Sequence, residues 1–115
     1  MKPDLKKLLA LENFTLKKVL KIIQKNTTGT VFIVSKKNKL KGLITDGDIR
    51  RIILKDKLNL NLKVKNFYNK KFKYLNINSG LEKINNSFSE EIRIIPLVDN
   101  NKVVLDYALA GSIHK

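Results

Sequence analysis

The stretch GTVFIVSKKNKLKGLITDGDIRR, residues 29–51, contains two short apolar runs separated by a lysine-rich turn. Residues 30–34 are almost continuously apolar, which is typical of a strand buried on both faces. Residues 40–45 are predicted to form the returning strand of a hairpin whose turn lies at residues 36–39. The isoleucines that follow at helical spacing predict a helix over residues 48–55.

The residues before this stretch predict another helix. Thr15 is a suitable N-cap, and polar residues at 26–29 end the pattern that follows it. The apolar residues between these points have helical spacing: Leu16, Val19, Leu20, Ile22 and Ile23. The first half of the chain is therefore predicted to run helix, strand, strand, helix.

The same pattern returns in the second half, so the sequence contains an internal repeat. Residues 94–99 match residues 30–35 at a separation of 64, and residues 103–109 predict a returning strand. Ser79 is expected to be the N-cap of the second repeat's helix, as Thr15 is in the first. Its apolar residues lie 65 positions after their counterparts: Leu81, Ile84 and Phe88. Two copies are too few for a solenoid, so we expect two repeats packed in one globule.

The second repeat departs from the first in two ways. Pro96 lies in its first strand, where proline removes a ladder donor, so we expect an edge strand or a strand start there. Its returning strand has no counterpart of Thr45 and Asp48, and little chain remains after it for a last helix. We expect a first repeat at residues 1–58 and a second at residues 59–115 that lacks its last helix.

The composition restricts the classes of protein and site. A chain of 115 residues that is 43% hydrophobic is expected to form one compact domain or two half-domains with a shared core. No cysteine is present and the lone His114 cannot build a metal site, so we expect no metal and no catalytic group. The sequence has neither a secretory core nor a membrane-length apolar run, which favours a cytoplasmic protein without membrane contact.

The formal net charge of +14 has two interpretations. Of the 24 basic residues only three are arginine, the side chain favoured for bidentate recognition of phosphates and bases. The lysines are scattered along the chain, so we expect a solvated basic surface and no nucleic-acid partner. A basic module that binds anions or nucleic acid remains the alternative.

Thr45 and Asp48 lie three residues apart where a strand leads into a helix, and two interpretations stay open. A threonine followed by an acidic residue at this spacing resembles a capping box, which stabilises a helix start. A carboxylate at such a corner is also a good acceptor for paired sugar hydroxyls. Arg50 and Arg51 lie in the first helical turn, where cations oppose the helix dipole and a bound polyphosphate would offset the cost.

This stretch resembles the CBS domain, and the chain as a whole resembles a tandem CBS pair, or Bateman module. The family's Gly–apolar–apolar–Thr–x–x–Asp pattern falls on Gly42, Leu43, Ile44, Thr45 and Asp48. The extended form TDGDIRR is similar to CBS pairs fused to sugar-phosphate nucleotidyltransferases and other nucleotide-sugar enzymes. The resemblance implies a mixed α/β (α+β) fold of two pseudo-symmetric β-α-β-β-α repeats packed sheet to sheet.

The resemblance also implies a function. A module of this kind is not catalytic; it binds AMP, ADP or ATP, or alternatively S-adenosylmethionine, as a regulatory ligand and requires no cofactor. It forms a homodimer and controls an attached catalytic domain that is absent from this chain, here expected to be a nucleotide-sugar enzyme. The structural alternative is a dimerisation scaffold that binds no ligand.

The resemblance assigns roles to particular residues. Asp48 is expected to contact the ribose and Thr45 the ribose or a phosphate, whereas Arg50 and Arg51 are expected to attract phosphates. The remaining residues are expected to frame the adenine and complete the wall of the site: Thr28, Gly29, Thr30, Val31, Thr15 and Leu16.

Overall fold

The computed structural model describes residues 2–56 and 59–111, which form two three-stranded sheets and three α-helices. The predicted mixed α/β (α+β) fold of two repeats is thereby confirmed. Within the two described ranges, no helix combines the length and apolar character that spanning a bilayer requires.

The first repeat has the order β1, α1, β2, β3, α2. Its elements are β1 (Leu9–Leu11), α1 (Leu16–Asn26), β2 (Thr30–Val34), β3 (Leu40–Thr45) and α2 (Asp46–Asp56). The central strand β2 pairs parallel with β1 and antiparallel with β3, and all five of its residues are buried as predicted. Thr15 is the N-cap of α1, because its hydroxyl accepts a hydrogen bond from the Lys18 amide at 3.1 Å.

The second repeat has an equivalent three-stranded sheet and a helix shorter than α1. Its elements are β4 (Leu75–Asn76), α3 (Leu81–Asn86), β5 (Ile94–Val98) and β6 (Val104–Leu109). The expectation that Ser79 caps α3 is wrong: its amide closes a turn onto the Asn76 carbonyl, and Gly80 is the N-cap without a side-chain bond. The expected absence of a last helix falls after Gly111, together with His114, outside the described residues.

Pro96 does not lie where the sequence predicts. It is the third residue of β5, which is the central strand of the second sheet and not an edge strand. The position tolerates proline because β4 is only two residues long and pairs with Leu97 and Val98, so that ladder does not reach Pro96.

The two repeats are related by a separation of 64 residues that holds at the level of single hydrogen bonds. The Leu40 amide donates to the Lys102 carbonyl, and the Val104 amide donates to the Asn38 carbonyl. Val104 lies 64 positions after Leu40, and Lys102 lies 64 positions after Asn38. Asn38 and Lys102 have φ values of +64° and +67°, so the two hairpin turns share one backbone shape. These reciprocal bonds join the turns of the two repeats.

A joint core holds the sheets face to face. It contains Leu8, which ends a 3₁₀ turn at Leu5–Leu8, and buried side chains of both sheets. Phe32 of β2 meets Tyr107 of β6 edge to face, with ring centroids 6.2 Å apart. The Tyr107 hydroxyl donates to the Pro3 carbonyl, so the amino-terminal segment lies against the second repeat. The repeats therefore pack sheet to sheet, as predicted.

Candidate ligand-binding cleft

A cleft of about 450 Å³ lies between the repeats. The first repeat lines it with residues 28–30, Thr45 and Asp46. Residues 71–73 line it from the linker, the segment between α2 and β4 that is described over residues 59–74. Residues 91–94 of the second repeat line the rest. The cleft has the size and the mixed apolar and polar lining typical of small-molecule sites.

Asn26 shapes the first-repeat side of the cleft. Its side chain is 1% exposed, and its amide nitrogen donates to the Thr30 carbonyl at 3.0 Å. Its oxygen accepts from the amide and the hydroxyl of Thr28, at 2.8 and 2.9 Å. Between Thr28 and Thr30, Gly29 has a φ of +77°, a conformation that glycine adopts without strain. The Gly29 carbonyl accepts a hydrogen bond from the Asp46 amide. A buried side chain thus fixes the loop that faces the cleft.

Thr45 and Asp48 form the capping box that their spacing predicts. The Asp48 amide donates to the Thr45 hydroxyl at 3.0 Å, and the Thr45 amide donates to Oδ2 of Asp48 at 3.0 Å. The capping interpretation is therefore confirmed, whereas the contact between Asp48 and a ribose stays a prediction.

The Asp48 carboxylate has two further partners. Oδ2 also accepts from the side-chain amide of Asn69 at 2.9 Å, and Oδ1 accepts from Nη2 of Arg51 at 2.7 Å. The Asp48 side chain remains 18% exposed, while that of Arg51 is 73% exposed. Arg51 therefore neutralises a carboxylate at the helix start, which offsets its unfavourable position with respect to the helix dipole.

The linker docks on β3 beside this corner. The Asn69 amide donates to the Leu43 carbonyl at 2.8 Å, and the Leu43 amide donates to the Asn69 carbonyl at 3.1 Å. A Cβ atom at Gly42 would lie 2.3 Å from the Asn69 carbonyl oxygen, so only glycine allows this approach. Tyr68 donates to Glu12 at 2.5 Å; burial, together with this hydrogen bond and the glutamate charge, raises the pKa of Tyr68 to about 12.

Three cationic side chains line the cleft: Lys71, Lys73 and Arg93. The ion pairs among the described residues are Lys2–Asp106 and Arg51–Asp48, so none of the three cations is paired with a carboxylate. Apolar side chains lie among these charges: Leu43, Phe72, Ile92 and Ile94. The cleft thus combines a surface for a flat apolar group with three cations that form no ion pair among the described residues, beside the carboxylates of Asp46 and Glu91.

The structure brings four of the ten predicted site residues to the cleft: Thr28, Gly29, Thr30 and Thr45. Asp48 and Arg51 lie at the adjoining corner. Val31 and Leu16 are fully buried in the core of the first repeat, and Thr15 is occupied in capping α1. Arg50 is exposed on α2 and is not among the side chains that line the cleft.

Sequence reasoning missed Asp46, residues 71–73 and Arg93. The repeat separation of 64 contains a signal for the last of these, because it places residues 92–94 opposite residues 28–30. The hydrogen bonds show the same correspondence. The Asp46 amide donates to the Gly29 carbonyl, and 64 positions later the Ala110 amide donates to the Arg93 carbonyl. No comparable signal exists for the linker lysines, since only the docked path of the linker brings them to the cleft.

Comparison with known proteins supports the assignment of the fold. Residues 6–55 match the family model for the CBS domain. The CBS domains of a transcriptional regulator from Streptococcus pneumoniae superpose with a TM-score of 0.80 at 14% identity, over 98% of this chain and 92% of that chain. The chain has the fold of a CBS domain pair.

Two other solved structures with the same fold were determined with a ligand. A CBS domain protein from Pyrobaculum aerophilum, solved in complex with AMP, has a TM-score of 0.72 at 16% identity over 89% of this chain and 79% of that chain. The cytosolic domain of the Mg²⁺ channel MgtE, in complex with ATP, has a TM-score of 0.74 at 17% identity over 89% of this chain and 41% of that chain. No curated protein sequence gives a significant match to this chain.

Proposed function

We propose that this CBS pair is a regulatory module that binds AMP, ADP or ATP in the cleft between its repeats. The observation that carries the proposal is the lining of that cleft, where Thr45 and Asp46 lie among three unpaired cations from the linker and the second repeat. The AMP and ATP complexes of structures with the same fold support the choice of ligand.

The chemistry of the cleft matches the three parts of a nucleotide. Phosphates suit Lys71, Lys73 and Arg93, because charge-assisted hydrogen bonds to phosphate are strong and none of the three cations forms an ion pair among the described residues. A purine ring suits the apolar side chains of Phe72 and Ile92. Ribose hydroxyls are donors that need acceptors, and carboxylates supply them.

Two carboxylates are proposed as ribose acceptors. Asp48 is the principal one, as the family pattern implies, and the Thr45 hydroxyl lies at the same corner. Asp46 lines the cleft and makes no side-chain hydrogen bond among the described residues, so it is the second. Thr28 and Gly29 frame the base from the first repeat, on a loop that Asn26 holds rigid. Because both repeats line the cleft, an occupied cleft favours one packing of the repeats over others.

A thermal-shift and calorimetric screen of AMP, ADP, ATP and S-adenosylmethionine tests the proposal. A ligand that binds only the folded chain raises the melting temperature as its concentration passes the dissociation constant. Inorganic triphosphate is the matched control for unspecific attraction to the basic surface. We expect an adenosine nucleotide to raise the melting temperature more than triphosphate does; equal shifts or none would refute the nucleotide site.

Asp48→Ala separates the ribose contact from capping. We expect nucleotide affinity to be lost in calorimetry, whereas stability falls by the capping contribution of about 0.5–2 kcal/mol and by loss of the bonds from Asn69 and Arg51. Asp4→Ala is the control, because Asp4 is exposed and its side chain makes no hydrogen bond within the described ranges. Unchanged affinity in Asp48→Ala would remove Asp48 from the site and leave Asp46 as the acceptor.

The finer features of the proposal come from the sequence: the homodimer from the resemblance to CBS pairs, and the attached enzyme from the extended form TDGDIRR. We propose that the module is cytoplasmic, forms a homodimer and regulates an attached nucleotide-sugar enzyme, with a sugar-phosphate nucleotidyltransferase as the first candidate. Leu54 supports an association surface, since it is 86% exposed on α2 beside the 40% exposed Ile53. Light scattering of the chain and of Leu54→Glu tests the dimer, which the substitution should dissociate.

A further inference from the structure

The hydrogen bonds of Asp48 limit how a ligand can reach it. An ionised carboxylate oxygen has two lone pairs, and Oδ2 already accepts two hydrogen bonds, from the Thr45 amide and the Asn69 side chain. Oδ1 accepts one, from the guanidinium of Arg51, and so has one position left. Two neighbouring ribose hydroxyls that donate to both oxygens of Asp48 therefore need a position on Oδ2, and both positions there are already filled.

The two partners of Oδ2 differ in their freedom to leave. The Thr45 amide belongs to the backbone where β3 leads into α2, and it is held there by the reciprocal bond from the Asp48 amide to the Thr45 hydroxyl. Asn69 is an exposed side chain on the linker. Of these two donors, Asn69 is the one that a ligand hydroxyl can replace without unfolding the start of α2.

We propose that Asn69 is a positioning residue that couples occupancy of the cleft to the position of the linker. This inference rests on the proposed function. A ribose hydroxyl takes the place of the Asn69 side-chain amide on Oδ2 of Asp48, and the linker loses this side-chain anchor on the first repeat, while the bond from Tyr68 to Glu12 remains. Asn69 thus acts in the empty chain as an internal substitute for the ligand.

The consequence extends along the linker in both directions. The backbone of Asn69 pairs with Leu43, so loss of the side-chain anchor weakens a bridge of two hydrogen bonds between the linker and β3. Two residues later the linker enters the cleft, where Lys71 and Lys73 line it. A shift of the linker therefore reaches both the phosphate-binding charges and the connection to the second repeat.

Amide hydrogen exchange tests the coupling in the unmodified chain. Ligand binding ordinarily slows exchange in and around a site, whereas the proposal predicts the opposite sign at two named amides. With AMP, ADP or ATP at saturation, whichever the titration shows to bind, the amides of Asn69 and Leu43 should exchange faster. The amide of Asp46, which bonds to Gly29 inside the cleft, should exchange more slowly.

Asn69→Ala gives a second, independent readout. Without a competing donor on Oδ2, nucleotide affinity should rise by about three- to tenfold, the range of one ordinary hydrogen bond. Asn66→Ala is the matched control, because Asn66 is an exposed linker asparagine whose side chain makes no hydrogen bond among the described residues. Its affinity should equal that of the unmodified chain.

The outcomes separate the two proposals. If a nucleotide binds but the two amides do not exchange faster, or Asn69→Ala does not bind more tightly, the coupling is refuted and the proposed function stands. If no adenosine nucleotide binds the unmodified chain, the proposed function fails and the coupling fails with it. Exchange in the unmodified chain decides the question even if Asn69→Ala folds poorly.

Discussion

The two repeats contain equivalent three-stranded sheets but differ in the helices and corners around them. β2–β3 and β5–β6 have the same register, with an irregularity after Ile33 in the first repeat and after Leu97 in the second. In contrast, α1 has eleven residues and α3 has six. The strands meet in a joint core that both repeats need, whereas each helix covers only its own sheet. The repeats accordingly differ in their helices and corners, and the described chain has its capping box in one repeat only.

The largest expected difference lies between Leu16 and Leu81, which occupy equivalent positions in α1 and α3. Leu16 is 0% exposed and Leu81 is 62% exposed. Leu16→Ala should lower the free energy of unfolding by about 2–5 kcal/mol, because it leaves a cavity in a packed core. Leu81→Ala should change it by less than about 0.5 kcal/mol. Urea unfolding of both variants measures the contrast, and equal losses would mean that α3 is packed as α1 is.

A second contrast concerns Gly42, whose counterpart in the second repeat is Asp106. Gly42→Ala would place a methyl group 2.3 Å from the backbone oxygen of Asn69, so the linker must leave β3. We expect a loss of about 1–3 kcal/mol, measured by urea unfolding.

Gly47→Ala is the control for this substitution. It adds the same methyl group within α2, where the nearest atoms are 3.6 Å away or more, and should stabilise the chain by up to about 1 kcal/mol. A stable Gly42→Ala protein with an unmoved linker would contradict the close approach.

The Tyr68 hydroxyl anchors the linker on the first repeat, and the Tyr107 hydroxyl anchors the amino-terminal segment on the second. Removing the two hydroxyls should lower the free energy of unfolding by different amounts. Tyr68→Phe removes a bond to the Glu12 carboxylate and should cost about 1.5 kcal/mol at neutral pH, whereas Tyr107→Phe removes a bond to a neutral carbonyl and should cost about 1 kcal/mol. Tyr74→Phe is the control, because the Tyr74 hydroxyl makes no hydrogen bond within the described ranges.

The contribution of Tyr68 should also depend on pH with a defined sign. Its pKa is raised from 10.0 to about 12 in the folded chain, so the folded state favours the protonated phenol. The stabilisation is complete below pH 10 and is lost as the pH rises towards 12. The difference in unfolding free energy between the unmodified chain and Tyr68→Phe should shrink over that window. A difference that stays constant would argue against the hydrogen bond to Glu12.

The smallest expected effects are at the helix caps. Thr15→Ala should destabilise the chain by about 1 kcal/mol, because it leaves the Lys18 amide without its side-chain acceptor. Gly80→Ser adds the missing cap to α3 and should stabilise by a few tenths, roughly 0.3 kcal/mol. Both are measured by urea unfolding at high precision. A destabilising Gly80→Ser would show that the two helix starts differ in more than the capping side chain.

Besides the two-repeat fold, the elements that the sequence predicts correctly are those whose signal is local. The buried run at 30–34 and the cap at Thr15 depend on neighbouring residues, and the structure confirms both. Ser79 was predicted wrongly because apolar spacing fixes a helix face but not the residue at which the helix begins. The linker lysines of the cleft could not be predicted, because a bridge between Leu43 and Asn69 brings them there.

The bond between Tyr107 and Pro3 joins residues that are 104 positions apart, and it caps a core made from both halves. During synthesis the amino terminus leaves the ribosome first. Leu8 and Phe32 therefore cannot complete their core with Tyr107 until β6 has emerged. We expect the nascent chain to gain protection from proteases in one late step. Such late closure ties the first repeat's stability to completion of the second.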